Sequence, residues 1–310
     1  MRITANRLGG LLALTFLFLT APAHSQAPAP AAASPTPPAY RDVERILQAP
    51  GRMEEGAFVV HAPRTDLQVT MMGQPLPPGF DLTSFIAWTF RPEGYLTSGY
   101  LVVREEEMNP VVSELRAAGI RIAALVRHMI GEQPRIMYVH FQGRGSGPTL
   151  AQGIRRALGR TGTPLPTPPG ALNLPPPAGL DVNRIQLALR RSGIIEGGVL
   201  KVTQGRPGVR LQGVELPPGM GPFSVAYFTG TDANALVGGE VVLTEREIDR
   251  AIDTFRQAGF LVAAQHIHLV GEEPKLYFLH YSGTGPAETL ARVVRSVFDQ
   301  VRGPAVGSRS

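Results

Sequence analysis

The chain reads as an α+β protein made of two homologous modules, each a mainly antiparallel sheet with flanking helices. Three observations predict this. Segments that alternate apolar with polar residues, or run β-branched and aromatic, are interleaved with amphipathic segments of helical period. The last elements follow in the order strand, helix, strand, strand, helix, which sets helices against one face of a sheet. The second half also repeats the first. "QPLPPGF" at 74 aligns with "VELPPGM" at 214, and the same offset aligns "AAGIRIAALVRHMIGEQPRIMYVHFQGRG" from 117 with "QAGFLVAAQHIHLVGEEPKLYFLHYSGTG" from 257. From Leu96–Arg160 against Leu236–Gln300 roughly one position in three is identical without a gap, as an internal duplication leaves it.

The elements follow in chain order. Arg2 and Arg7 precede the apolar run "LGGLLALTFLFLT", and Ala23 and Ser25 are small residues before Gln26. This is the pattern of a secretory signal peptide over residues 1–25, so the chain is expected to be periplasmic or secreted. A Pro/Ala-rich linker covers 26–39, the first module 40–160, a second Pro-rich linker 161–179 and the second module 180–302. The modules are expected to pack as a pseudo-dimer with the second linker crossing the outside. In the second module "DVNRIQLALRRSG" predicts a helix that stops at glycine. "GGVLKVTQ", "GVRLQGVEL", "FSVAYFTG" and "GGEVVLT" predict strands. "TEREIDRAIDTFRQAG" predicts a helix that Thr244 and Glu247 cap reciprocally and Gly259 ends. "FLVAAQHIHLV" and "KLYFLHYSG" predict a hairpin around "GEEP", and "GPAETLARVVRSVFDQVR" a closing helix.

Composition excludes several classes. There is no cysteine, hence no disulfide, no thiolate ligand and no lipobox. The formal charge of +5 falls by two when Arg2 and Arg7 leave with the signal, and no basic run with interleaved aromatics points to nucleic acid. No stretch in the mature chain reaches the ~18 apolar residues of a membrane-spanning helix. Nucleophile elbow, phosphate loop and dinucleotide fingerprint are absent from the sequence.

The chemistry concentrates in the hairpin. His266 and His268 are two apart on a strand and share a face. With an even index sum across "GEEP", either His268 or His266 opposes His280, and three imidazoles cluster about 5 Å apart. Three neutral imidazoles suit a divalent transition metal, zinc first and copper second. The turn glutamate Glu272 is a candidate fourth ligand or a base beside the metal. The first copy keeps His128, His140 and Glu132 but has Val126 where the second has His266, so the expected site lies on the second module. His128, His140, Glu132 and Glu240 are weaker candidates. Against this stands a structural reading, in which the histidines are hydrogen-bonded core residues. "YFTGTDANALVGGE" and the Ser282–Gly285 run before the last helix could line a site, but loop and cap are the plainer readings.

The pattern H-x-H…G-E-x-P…H, carried by His266, His268, Gly271, Glu272, Pro274 and His280 with "FTGTD" and "GGEVVLTEREID" upstream, resembles the LppY/LpqO family. The resemblance implies an exported bacterial protein of unknown function and lends no catalytic role. Some members are lipoproteins; without a cysteine, membrane anchoring does not carry over. Three functions remain open at this point: an envelope protein that binds a transition metal or a small ligand through it, a metal-dependent hydrolase with Glu272 or Glu240 as base, and a structural or interaction protein whose partner is an envelope component.

Overall fold

The computed structural model describes residues 35–301; the expected signal peptide and most of the first linker lie outside them. In the first module α1 (Arg41–Leu47) leads into β1 (Gly51–Glu54) and β2 (Ala57–Pro63). A short ribbon, β3 (Val69–Met71) and β4 (Gln74–Leu76), comes next. The module closes with β5 (Thr83–Arg91), β6 (Gly94–Arg104), α2 (Met108–Ala117), β7 (Arg121–Val126), β8 (Ile136–Gly145) and α3 (Gly147–Leu158). The second module repeats this with α4 (Val182–Leu189), β9 (Ile194–Glu196), β10 (Val199–Gly205), β11 (Arg210–Leu211) and β12 (Val214–Glu215). Then come β13 (Phe223–Gly230), β14 (Ala235–Leu243), α5 (Ile248–Gln257), β15 (Leu261–His266), β16 (Glu272–Glu273), β17 (Tyr277–Gly285) and α6 (Ala287–Phe298).

The two main sheets are antiparallel and have equivalent strand orders, β1-β2-β5-β6-β8-β7 and β9-β10-β13-β14-β17-β15. The α+β class and the duplication both stand. The capping box forms as expected: the Thr244 backbone N–H donates to Glu247 Oε2 at 2.6 Å, ahead of α5.

Strand alternation explains how the modules join. In β2 and β5, Phe58, Val60, Ile86 and Trp88 face their own helices, packing with Val43, Val111, Leu115 and Ile154. Their neighbours Ala57, Val59, Phe85 and Ala87 face the other way, onto Val209, Leu211, Met220 and Phe278 of the second module. The reverse also holds: Val69 and Met71 of the β3–β4 ribbon, with Val102 and Tyr138, pack on Val225, Tyr227 and Leu236. Each sheet therefore buries one face under its own helices and the other against its copy. This second interface removes whole rings such as Phe278 and Phe80 from water, at about 25 cal/mol per Å² of apolar surface.

The second linker lies on the surface but is pinned at intervals. Gly162 N donates to Glu107 Oε1 at 3.0 Å, Thr167 N to Gln48 O at 2.9 Å, and Gly197 N to Leu172 O at 2.7 Å.

Candidate metal centre between the two modules

The hairpin register has the expected even sum near the turn, but its pairs differ. His266 opposes Phe278 and His280 opposes Ala264, with a bulge between Val262 and Ala264. His266 and His280 are thus diagonal neighbours on one face, their Nε2 atoms 3.0 Å apart. β15 ends at His266, and His268 sits just past the strand end. The first copy behaves alike: His128 follows the end of β7, and His140 lies in β8 opposite Tyr100 and Ala124.

Both inner faces meet here, so the histidines of one module touch those of the other. The His128 ring stacks on His280 at 3.7 Å between centroids, and His140 stacks on His268 at 4.2 Å. His266 approaches His140 at 4.7 Å. Within the first module the Nε2 atoms of His128 and His140 are 2.9 Å apart. Each hairpin presents its imidazoles to the interface, so His128 and His140 lie with His266, His268 and His280, while one metal-capable group, Glu240, His268 and His280, belongs wholly to the second module, where the site was expected. Aromatic backing is equivalent in the two copies, His128 on Tyr138 at 3.5 Å and His268 on Phe278 at 3.4 Å.

Two carboxylates complete the cluster. Glu240 is the cross-strand partner of His280 on β14, and its Oε2 lies 3.1 Å from His280 Nε2 and 3.3 Å from His268 Nε2. The His268 contact is an ion-pair distance only, and His268 Nε2 is otherwise buried without a partner. Asp81 Oδ2 lies 2.8 Å from His128 Nδ1, and Tyr100 Oη donates to Asp81 Oδ1 at 3.1 Å. The sequence reading passed over Asp81. Its signal was available: where the first copy has Asp81 and Tyr100, the fixed offset gives Gly221 and Glu240, so the copies differ at two positions that both meet the cluster.

Glu272 and Glu132 belong elsewhere. Glu272 pairs in β16 with Leu211, accepts from Leu276 N at 3.1 Å and lies 3.2 Å from Lys275 Nζ. Glu132 accepts from Arg127 at 3.0 Å and from Ile136 N at 3.3 Å. Both carboxylates cap their turns, and neither is in a metal-capable group among the described residues. The Arg127 contact also commits that guanidinium to Glu132. The "FTGTD" loop is likewise structural: Asp232 Oδ1 accepts from Asp181 N at 2.7 Å, and its carbonyl takes Ala287 N at 2.9 Å, closing the start of α6.

Electrostatics favour lone pairs over protons. Burial, reinforced by the other imidazoles, holds His128 and His140 well below their ordinary pKa and pushes His266 down to about 2. Burial alone would raise Glu240, but His268 and His280 outweigh it and hold the carboxyl well below the usual carboxylate range. Asp81 moves the opposite way, raised by burial and by the charge of Glu240. Histidine and glutamate donor atoms within 4.8 Å of one another form groups that could hold a metal ion: His128, His266 and His280; His140, His266 and His268; Glu240, His268 and His280. A further group joins Glu54, His61 and Glu196, but there Lys201 binds Glu196 at 2.7 Å and Arg52 binds both carboxylates, so the charges are already matched.

The family described as "Domain of Unknown Function (DUF1259)" matches the chain twice, over residues 41–160 and 183–300. The chain belongs to this family. The DUF1259 matches coincide with the two modules, so the histidine centre is made where two DUF1259 domains of one chain face each other. No curated protein matches the sequence. Among solved structures the chain is similar to a trimeric bacterial microcompartment shell protein PduB, with 13% identity over 78% of this chain and 87% of that one. At a TM-score of 0.17 that likeness carries no argument about fold or role.

Proposed function

We propose that this is an exported protein of the LppY/LpqO type that binds one divalent transition metal at the junction of its modules. The observation that carries the reading is the convergence of five buried imidazoles and Glu240, with His268 Nε2 left without a hydrogen bond. A buried polar atom without a partner costs about 1–3 kcal/mol, and an ion held by His268 Nε2 would relieve that cost. Imidazole-rich, thiolate-free donor sets suit zinc first and copper second. Asp81 fits the same reading, because its carboxyl group on His128 Nδ1 holds the ring with Nε2 facing the cluster.

A second reading, a metal-dependent hydrolase, is favoured by one feature. A void of about 20 Å³ bounded by His140, His268 and Glu240 has room for one water-sized ligand. A bound ion would supply Lewis acidity there. Glu240, ionised and next to the void, is placed to accept a proton from whatever occupies it.

The test is metal content by mass spectrometry on untagged protein purified without chelator, beside a His140→Ala/His268→Ala variant whose fold is checked by circular dichroism. About one equivalent in the wild type and none in the folded variant is the expected result. No metal in either, after zinc and copper have been supplied, sinks both readings.

A further inference from the structure

A cleft of about 340 Å³ opens between the modules, bounded by Arg52, Glu54 and Phe85 from the first and by Lys201, Thr203 and Phe223 from the second. Its volume is that of small-molecule sites, which run from about 300 Å³ upwards. Phe85 and Phe223 meet edge to face at 5.7 Å. The same two rings also bound the small void beside His140, His268 and Glu240, and a second void of about 20 Å³ beside His61 and Asp81. The phenylalanine pair is therefore the partition between an open cleft and the buried histidine centre.

We propose that this cleft binds a small uncharged ring compound and passes its hydroxyl or carbonyl oxygen between Phe85 and Phe223 to the histidine centre. The charge balance of the walls selects a neutral ligand. Arg52 lies 2.8 Å from Glu54 and also binds Glu196, and Lys201 binds Glu196 at 2.7 Å, so neither cation is left to hold an anion. Glu55 adds a carboxylate at the rim that disfavours anions, and because it is exposed and takes the Thr203 hydroxyl, water screens it and a cation gains little from it. Phe85, Phe223 and the half-exposed Ile194 supply apolar and aromatic surface. The sizes divide the ligand in two: a ring fits the cleft, whereas the inner void admits only one water-sized group. The delivery step rests on the histidine cluster being the functional centre; binding in the cleft does not.

The experiment titrates phenol, benzoate and benzylamine into metal-free full-length protein by calorimetry and follows ¹³C-labelled histidine ring signals by NMR. Phenol is expected to bind at least ten-fold more tightly than either charged ring and to move the His140 and His268 signals. Thr203→Trp, which fills the cleft, is expected to weaken phenol at least ten-fold and to abolish those shifts. Ser192→Trp fills the cleft from its exposed rim and serves if the first variant does not fold. Equal or tighter binding of benzoate or benzylamine, no phenol binding, or phenol binding that survives in the folded filled variants overturns the proposal. So do histidine signals that stay still at saturating phenol. Because no metal is present, these outcomes are independent of the metal assay: phenol binding without metal uptake sinks the metal reading alone, and metal uptake without phenol binding sinks this one alone.

Discussion

His128 lies against His280 and His140 against His268, and the offset of the duplication turns the first pair into the second. The pseudo-two-fold relation between the modules thus runs through the histidine cluster. A residue from either module should then be equally necessary. Substituting His140 alone, or His268 alone, by Ala is expected to reduce bound metal from about one equivalent to less than about a tenth. In wild-type protein, free zinc at a thousand times its Kd should raise the unfolding free energy by about 4 kcal/mol, and in either variant by nothing measurable. Metal retained in full by the His140 variant would restrict the site to the second module.

Asp81 has a left-handed backbone at φ 57°, which Asn tolerates about as well, so Asp81→Asn tests the carboxyl group with little backbone strain. The variant is expected to fold normally and to bind zinc 10–100-fold more weakly, as loss of a ligand's hydrogen-bonding partner does. Competition against a chelating dye measures this; unchanged affinity would make Asp81 a core residue only.

Arg64 is fully buried, with Nη1 2.8 Å from both Val102 O and Glu107 Oε2 and Nη2 2.8 Å from Asp66 Oδ2. Arg206 repeats the arrangement on Val242 O and Glu247. Arg64→Met removes the buried cation that Asp66 and Glu107 share, leaving Glu107 with Arg104 and the Gly162 N–H, and should cost about 1–3 kcal/mol in urea unfolding. A cost under about 1 kcal/mol would mean that water reaches the pair.

The same ion pair sets a pH dependence. Burial raises Glu107, but the Arg104 backbone N–H and the Arg64 guanidinium outweigh it, so the folded pKa lies below the ordinary value. Its contribution to stability is therefore full above about pH 4.5 and is lost as the pH falls through the folded value. In Arg64→Met that cation is gone while the Arg104 and Gly162 N–H groups stay, so Glu107 rises from its wild-type position. The stability gap between wild type and variant should narrow steadily from pH 7 to pH 3. A gap that is flat or widens would remove Glu107 as its source.

Gly99 and Gly239 precede Tyr100 and Glu240 at equivalent sites, and a Cβ on Gly239 would sit 2.0 Å from Val225 O. Gly239→Ala is expected to cost about 3 kcal/mol through displaced backbone, and to weaken metal binding by shifting Glu240. Gly271→Ala, with a positive φ but nothing within 4 Å, should cost only about 1 kcal/mol. Equal losses in thermal unfolding would refute the steric argument.

Much of this was legible in the chain. Alternation made an even register the condition for His266 and His280 to share a face, and the observed pairing of His266 with Phe278 meets it. The capping box at Thr244 was legible because capping is local. Glu272 misled because a glutamate four residues past a histidine pair looks like a ligand. Its real partner, Leu276 N, is a backbone group that no residue pattern advertises.

The sequence by itself determined the duplication and the α+β modules, since these depend on period and on neighbours close along the strand. Only the tertiary structure decided that the two hairpins face each other, that Asp81 and Glu240 join the cluster, and that Glu132 and Glu272 do not. Those outcomes depend on how two apolar sheet faces bury one another, and that choice is made between residues far apart in the chain.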